Sequence, residues 1–349
     1  MADASRLLAP ILALHDRIRD AVVAAGEGQD AASLASVDDE EPGDTIYAID
    51  RVSEHALLEG LREIAREEPL VLVAEGLPPG GVALPEGTPD ADCRWRLLVD
   101  PIDGTRGIMY QKRSAWVLTG VAPNRGAATR LSDVVLAVQT EIPTTKQTLC
   151  DQLWATRGGG VEARRVDRLT GAVSPLRLRP SGADTIAHGF ATVVRFFPGA
   201  RDVLAAVDDE LARALLGVPE PGKAACFEDQ YASTGGQLYE LMAGHDRFVA
   251  DVRPLCAPLL AERGLPRPLC CHPYDLCTAL IAEELGVPLT DAEGAPLDAP
   301  FDLDADVSWV GYANARLRAV VEPALRAALR RHGLLPVAAP PATVLRDEG

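Results

Sequence analysis

The chain has 349 residues, with 34 Lys and Arg against 51 Asp and Glu, giving a formal net charge of −17. Hydrophobic residues make up 47% and charged residues 24%, the proportions of a packed globular protein long enough for two lobes or one large layered domain. The acid excess argues against a nucleic-acid polymer or an anionic membrane surface as partner, and admits an anionic small molecule only where cations screen it locally. No apolar run is long enough to span a membrane, and the N-terminus lacks the basic start of a secretory signal. Seven cysteines, an odd number in a long chain, do not read as a disulfide framework, so a reducing cytoplasm is the expected location.

Residues 5–25 place Leu7, Ile11, Leu14, Ile18 and Val22 at helical spacing, which predicts an amphipathic helix packed on a core. The acidic stretch from Asp38 to Asp44 reads as a loop by composition, followed by a second helix over 45–66. Strands are expected at 70–74, 95–99, 114–122 and 134–142. Residues 157–230 mix Gly, Pro and Arg and yield one clear helix, 202–216. Beyond them the pattern predicts a helix over 234–243, a strand over 247–252, helices over 274–285 and 313–331, and a loose tail from 336. Helices and strands in this mixture predict an α/β or α+β layered fold. The expected division is an N-terminal α+β half over 1–150 and a C-terminal α/β half over 151–335.

The most informative stretch is Leu97-Leu98-Val99-Asp100-Pro101-Ile102-Asp103-Gly104-Thr105. An apolar strand ends in a carboxylate, Pro101 fixes a turn, and a second carboxylate stands three residues after the first. Gly104 lets the backbone approach a ligand, and Thr105 opens a helix whose free N–H groups attract an anion. Two such acids repel each other unless a cation sits between them, and hard oxygen donors suit Mg²⁺. The same residues also make an ordinary turn and helix cap. Glu75 ends a second apolar strand, and Asp275 opens an apolar helix, so Glu75, Asp100, Asp103 and Asp275 all stand at element ends where a site can form.

Asp100-Pro-Ile-Asp-Gly-Thr105 resembles the signature of the inositol monophosphatase superfamily of Mg²⁺-dependent, lithium-sensitive phosphatases. Further pieces come in the right order over about residues 5–331. Asp50-Arg-Val-Ser-Glu54 is similar to the family's Asp-x-x-x-Glu, and Ala74-Glu75-Gly76 to its Gly-Glu-Glu. Tyr274-Asp275-Leu276 resembles the family's Trp-Asp segment, and Ala282-Glu-Glu-Leu-Gly286 the Glu-Ala-Gly-Gly after it. Gly311 to Leu317 resembles the closing strand-to-helix segment.

The resemblance implies an αβαβα sandwich of the sugar-phosphatase type. It implies hydrolysis of a small-molecule phosphate monoester by a two-metal activated water, with two or three Mg²⁺ that Mn²⁺ can replace. Glu75, Asp100 and the Ile102 carbonyl would hold one ion, and Asp100, Asp103 and Asp275 a second. Asp50 and Thr105, with Glu75, would act on the water. Gly104 and Thr105 would bind phosphate, Ser233 and Thr234 the alcohol part, with Asp251 at the rim of the substrate site, although a helix cap explains Ser233 and Thr234 equally well. A bisphosphate nucleotidase or fructose-1,6-bisphosphatase-type activity is an alternative, because Thr105-Arg106-Gly107 is closer to the nucleotidase Thr-Lys-Gly. Lys112 and Arg113 would then contact a second phosphate. A further alternative is a non-catalytic homologue that binds metal and phosphate.

Two departures stand out. The family's basic residue in the loop before the second helix is replaced by Asp38–Glu41. The interval from Asp103 to Asp275 is long, and the excess falls mainly at 157–230. Such insertions form lids, pocket rims or oligomer contacts, so a homodimer is among the expected partners. Cys270, Cys271, His272 and Cys277 lack the paired spacing of a zinc site. Gly158–Gly160 lacks the Lys-Ser/Thr of a P-loop. No His stands in the context of a catalytic triad.

Overall fold

The computed structural model describes residues 4–28, 34, 37–41, 44–78, 80–218 and 220–336. Helix α1 (Ser5–Gly28) turns Leu7, Ile11, Leu14, His15, Ile18 and Val22 inward, as its 3.6-residue period requires. The acidic stretch read as a loop instead carries two short strands, β1 (Val37–Glu41) and β2 (Asp44–Tyr47), paired antiparallel. The extended run Thr45-Ile46-Tyr47 delays the second helix, α2 (Ala48–Ala65), by three residues from its expected start.

A mixed sheet of eight strands comes next. It contains β3 (Leu70–Ala74), β4 (Val82–Leu84), β5 (Trp95–Asp103), β6 (Ala115–Pro123), β7 (Leu136–Ile142), β8 (Leu149–Thr156), β9 (Gly160–Asp167) and β10 (Val173–Pro175), in the spatial order β10-β9-β8-β7-β6-β5-β3-β4. Only β3 and β5 run parallel; the other neighbours are antiparallel. This sheet runs without interruption through residue 150, so the boundary expected there falls inside β8. The uninformative 157–175 segment supplies the last two strands at one edge, β9 and β10.

The second sheet has the order β11-β12-β14-β13, with β11 (Phe190–Val193), β12 (Asp246–Asp251), β13 (Leu289–Thr290) and β14 (Trp309–Tyr312). Between and around the sheets lie α4 (Arg201–Leu216), α5 (Thr234–Ala243), α6 (Ala257–Glu262), α7 (Ala279–Glu284) and α8 (Ala315–Arg331), after the short α3 (Thr105–Met109). The helix expected over 274–285 divides into a 3₁₀ turn, Pro273–Leu276, and α7. The tail from 337 onward lies outside the described residues.

Three apolar clusters give the layer order. Leu7, Ile11, Leu61, Leu72, Leu97 and Val117 join α1 and α2 to one face of the large sheet. Val73, Leu98, Leu118, Leu238, Ile281 and Trp309 join its other face, through α5 and α7, to the second sheet. Phe248, Tyr312, Leu204, Val207 and Leu325 join the far face of that sheet to α4 and α8. The result is an αβαβα sandwich.

One polar group pins the outer layer. His15 is wholly buried on α1, and its two ring nitrogens lie 2.9 Å from Thr140 Oγ1 and 2.8 Å from Thr119 Oγ1 on the sheet. Burial, with the charge of Arg19, lowers its pKa from 6.5 to about 3. The unfolded chain therefore binds a proton between those values that the native state refuses, and stability falls as the pH drops through that window. We expect His15→Gln, which cannot titrate, to lose less stability than the wild type between pH 7 and pH 4, by on the order of 3 kcal/mol in denaturant titrations.

Candidate metal centre

The strand β5 does not end where the apolar run ends. It continues to Asp103 through a register shift, with Asp100 opposite Leu118 and Asp103 opposite Trp116 on β6. In a regular strand two residues three apart face opposite ways. Here Pro101 and Ile102 together oppose the single residue Val117, a bulge that brings both aspartates to the face shared by Leu118 and Trp116. Ile102 turns to the other face, into the cluster under α1 and α2.

Asp275 reaches the same place from the 3₁₀ turn Pro273–Leu276. Its Oδ2 accepts from the backbone N–H of His272 at 2.6 Å, a capping box that fixes the carboxylate. Asp100, Asp103 and Asp275 each offer an oxygen within 4.8 Å of the others. Glu75, just beyond β3, stands outside that group but borders the same cleft. Its Oε1 accepts a hydrogen bond from the Tyr274 hydroxyl, so one turn carries both Asp275 and the group that holds Glu75.

The donors to Asp103 come from the start of α5. Its Oδ2 accepts from Ser233 Oγ at 2.7 Å and Gly235 N at 2.6 Å, and its Oδ1 from Thr234 N at 3.2 Å. Ser233 is also the helix cap, its Oγ accepting from Gly236 N at 2.9 Å. Close backbone approach is required here: a Cβ at Gly235 would sit 2.9 Å from Asp103 Oδ2 and 2.6 Å from Leu118 Cδ2. Gly104 has φ +99°, and a Cβ there would lie 3.1 Å from Ser233 Cβ. Asp100 Oδ1 accepts from Ile102 N at 3.0 Å. The Thr105 hydroxyl lies 3.1 Å from Asp50 Oδ1 and 2.9 Å from the Ile102 carbonyl, which joins α2 to the bulge.

The cleft, about 610 Å³ counting space open to solvent, is bordered by Glu75, Asp100, Ile102, Asp103, Gly104, Thr105, Ser233, Thr234 and Asp275 among the residues the sequence points to. Asp50 touches it through Thr105. Asp251 does not border it; the carboxylate is wholly buried and paired with Arg253, which does. Arg113 is likewise turned away, bonded to Asp229 at 2.5 Å and Glu240 at 3.3 Å, and neither it nor Lys112 borders the cleft. Cys270 and Cys271 are buried, and His272 Nδ1 lies 3.1 Å from the Ala305 carbonyl rather than beside a thiol. Phe196, Phe197, Arg253 and Tyr274 border the site although the sequence reading assigns them no role there. The adjacent pair Phe196-Phe197, followed by Pro198-Gly199, is the available signal: two aromatics at the start of a turn.

Burial and mutual repulsion raise the acids. Asp100 and Asp275 lie well above the usual carboxylate range, each through burial first and the neighbouring acids second. Burial also lifts Asp103, to about 6, against the pull of its donors from α5. The donor set is all oxygen, with three carboxylates crowded together, which fits a hard divalent cation and not a thiolate metal.

A scan of protein-family models finds no match to the sequence, and no curated protein matches it either. Solved structures do. The extragenic suppressor protein suhB from Bartonella henselae superposes with a TM-score of 0.62 at 16% identity, over 92% of this chain and 98% of that one. Leishmania major fructose-1,6-bisphosphatase gives 0.65 at 14% identity, over 92% and 93%. A Thermotoga maritima IMPase gives 0.57 at 15% identity, over 94% and 100%. At these identities the likeness is one of fold: the chain shares the layered architecture of these structures.

Because the native pKa values of Asp100, Asp103 and Asp275 exceed their unfolded ones, the native state binds the extra protons. For Asp103 the metal-free contribution to stability is therefore present below about pH 4 and is lost as the pH rises through about 6, and Asp100 and Asp275 act in the same direction. Adding a divalent cation should raise the melting temperature more at pH 7.5 than at pH 5, where it competes with protons. Scanning calorimetry with and without chelator at both values checks this.

Proposed function

We propose that the chain is a Mg²⁺-dependent hydrolase of small-molecule phosphate monoesters. The observation that carries the reading is the convergence of Asp100, Asp103 and Asp275, from two different halves of the chain, on one cleft that Glu75 also borders. Structural likeness to a fructose-1,6-bisphosphatase and an IMPase of the same architecture supports it. Glu75, Asp100, Asp103, Asp275 and the Ile102 carbonyl would hold the cations. Bound there, they would supply positive charge to a phosphate dianion, a lowered pKa for the attacking water and stabilisation of the leaving oxygen.

The protein's own groups divide the remaining work. The Thr105 hydroxyl can accept from a water while donating to Asp50, so the pair orients that water and passes its proton toward a carboxylate. Tyr274 keeps Glu75 aimed at the cleft. The backbone at Gly104 and Thr105, opening α3, faces the same space and would donate to phosphate oxygens. Ser233 and Thr234 border it beside Gly104, and the alcohol part would lie against them.

The test is hydrolysis of p-nitrophenyl phosphate. We expect turnover with Mg²⁺ or Mn²⁺, inhibition by Li⁺, and loss in excess chelator with far-ultraviolet dichroism preserved; a full rate in chelator overturns the reading. Asp100→Asn is the clean substitution, since the amide oxygen can still accept from Ile102 N while one charge leaves a repelling cluster. It should cost at least about two orders of magnitude in kcat, roughly 3 kcal/mol, with the metal-free melting temperature unchanged or raised. Asp103→Asn is less informative, because its new amide N–H₂ would face the Gly235 N–H.

A further inference from the structure

The cleft has a second wall that differs in chemistry from the acids. Both oxygens of Asp251 are taken by one guanidinium: Arg253 Nε donates to Oδ1 at 2.8 Å and Nη2 to Oδ2 at 2.5 Å. Arg253 Nη1 donates to the Leu269 carbonyl at 2.7 Å. Two of the five guanidinium N–H donors are left without a partner among the described residues. The side chain is only 4% exposed, and it borders the cleft. Its plane lies against aromatic rings, 4.4 Å from the centroid of Phe196 and 5.4 Å from that of Phe197, while Arg106 approaches Phe197 at 5.2 Å. All four of these side chains border the cleft.

A buried arginine with spare donors in the wall of a cleft is suited to bind an oxyanion there. The alternative occupant is the neutral polyol part of an ester, whose hydroxyl hydrogens need acceptors. Asp251, the carboxylate nearest this wall in sequence, is sealed and cannot accept them. Phe196 and Phe197 present ring faces and exclude water, which strengthens a charged hydrogen bond made beside them. Asp251 holds the guanidinium in one orientation, so little side-chain entropy is lost when an anion docks.

We propose that Arg253 is a specificity-determining residue that binds an oxyanion, a carboxylate or a second phosphate, on the alcohol part of the phosphate ester. This deepens the phosphatase reading and rests on it. The experiment compares kcat/KM of the Mg²⁺-loaded enzyme for glycerol 1-phosphate and 3-phosphoglycerate, which differ by a carboxylate in place of a hydroxymethyl group. We expect at least a tenfold preference for the acidic ester in the wild type and its loss in Arg253→Met. That variant strands a buried carboxylate, so Asp251→Asn/Arg253→Gln is made beside it; it removes both charges, keeps a hydrogen bond, and should erase the preference equally. If neither ester turns over while p-nitrophenyl phosphate does, the same ratio is read from their inhibition constants. Equal values in the wild type, or a preference that persists in the double variant, overturn the inference and leave the phosphatase reading standing. Failure to hydrolyse p-nitrophenyl phosphate overturns that reading itself.

Discussion

Two carboxylates three residues apart on one strand share a face only if the strand breaks its two-residue alternation. The bulge at Pro101 and Ile102 does this, and much else depends on it. It sends Ile102 into the apolar layer under α1 and α2, which anchors the strand end. It leaves the Ile102 carbonyl beside Thr105 and directs Asp103 at the start of α5. Proline suits the position because a bulge residue need not donate to the ladder.

Crowding acids in a low-dielectric interior is unfavourable, and the fold offsets part of the cost with fixed donors. Asp103 receives three, Asp275 a backbone N–H, and Asp100 another. Each donor comes from an element end whose own position depends on the apolar clusters. The large sheet contributes Glu75, Asp100 and Asp103, and the chain beyond the second sheet's β12 contributes Asp275. The site therefore exists only where the two sheets are docked through α5 and α7.

Much of this is legible in the sequence because it depends on local pattern. The helical period of α1, the apolar run of β3 and the acid-Pro-apolar-acid-Gly order are all visible without tertiary information. The parts that are not legible are set by long-range pairing. β9 is half-buried and rich in charge, held by register to β8, and the short exposed β10 is held to β9, so no apolar alternation announces them. Asp251 is expected at the rim of the substrate site on the strength of the resemblance. Its fate is decided by Arg253, which the 3₁₀ turn Arg253–Cys256 folds back onto it. Phe196 and Phe197 reach the cleft because the chain leaves β11 there, a matter of topology.

The large sheet also ends in a telling way. Both of its outer strands, Val82–Leu84 and Val173–Pro175, are three residues long, and the second closes on a proline that has no N–H to offer. An edge so short and partly stripped of donors is a poor template for a strand from another molecule. Strand-to-strand pairing of two copies through these two outer strands is accordingly disfavoured, because each gives a second copy little to hydrogen-bond to.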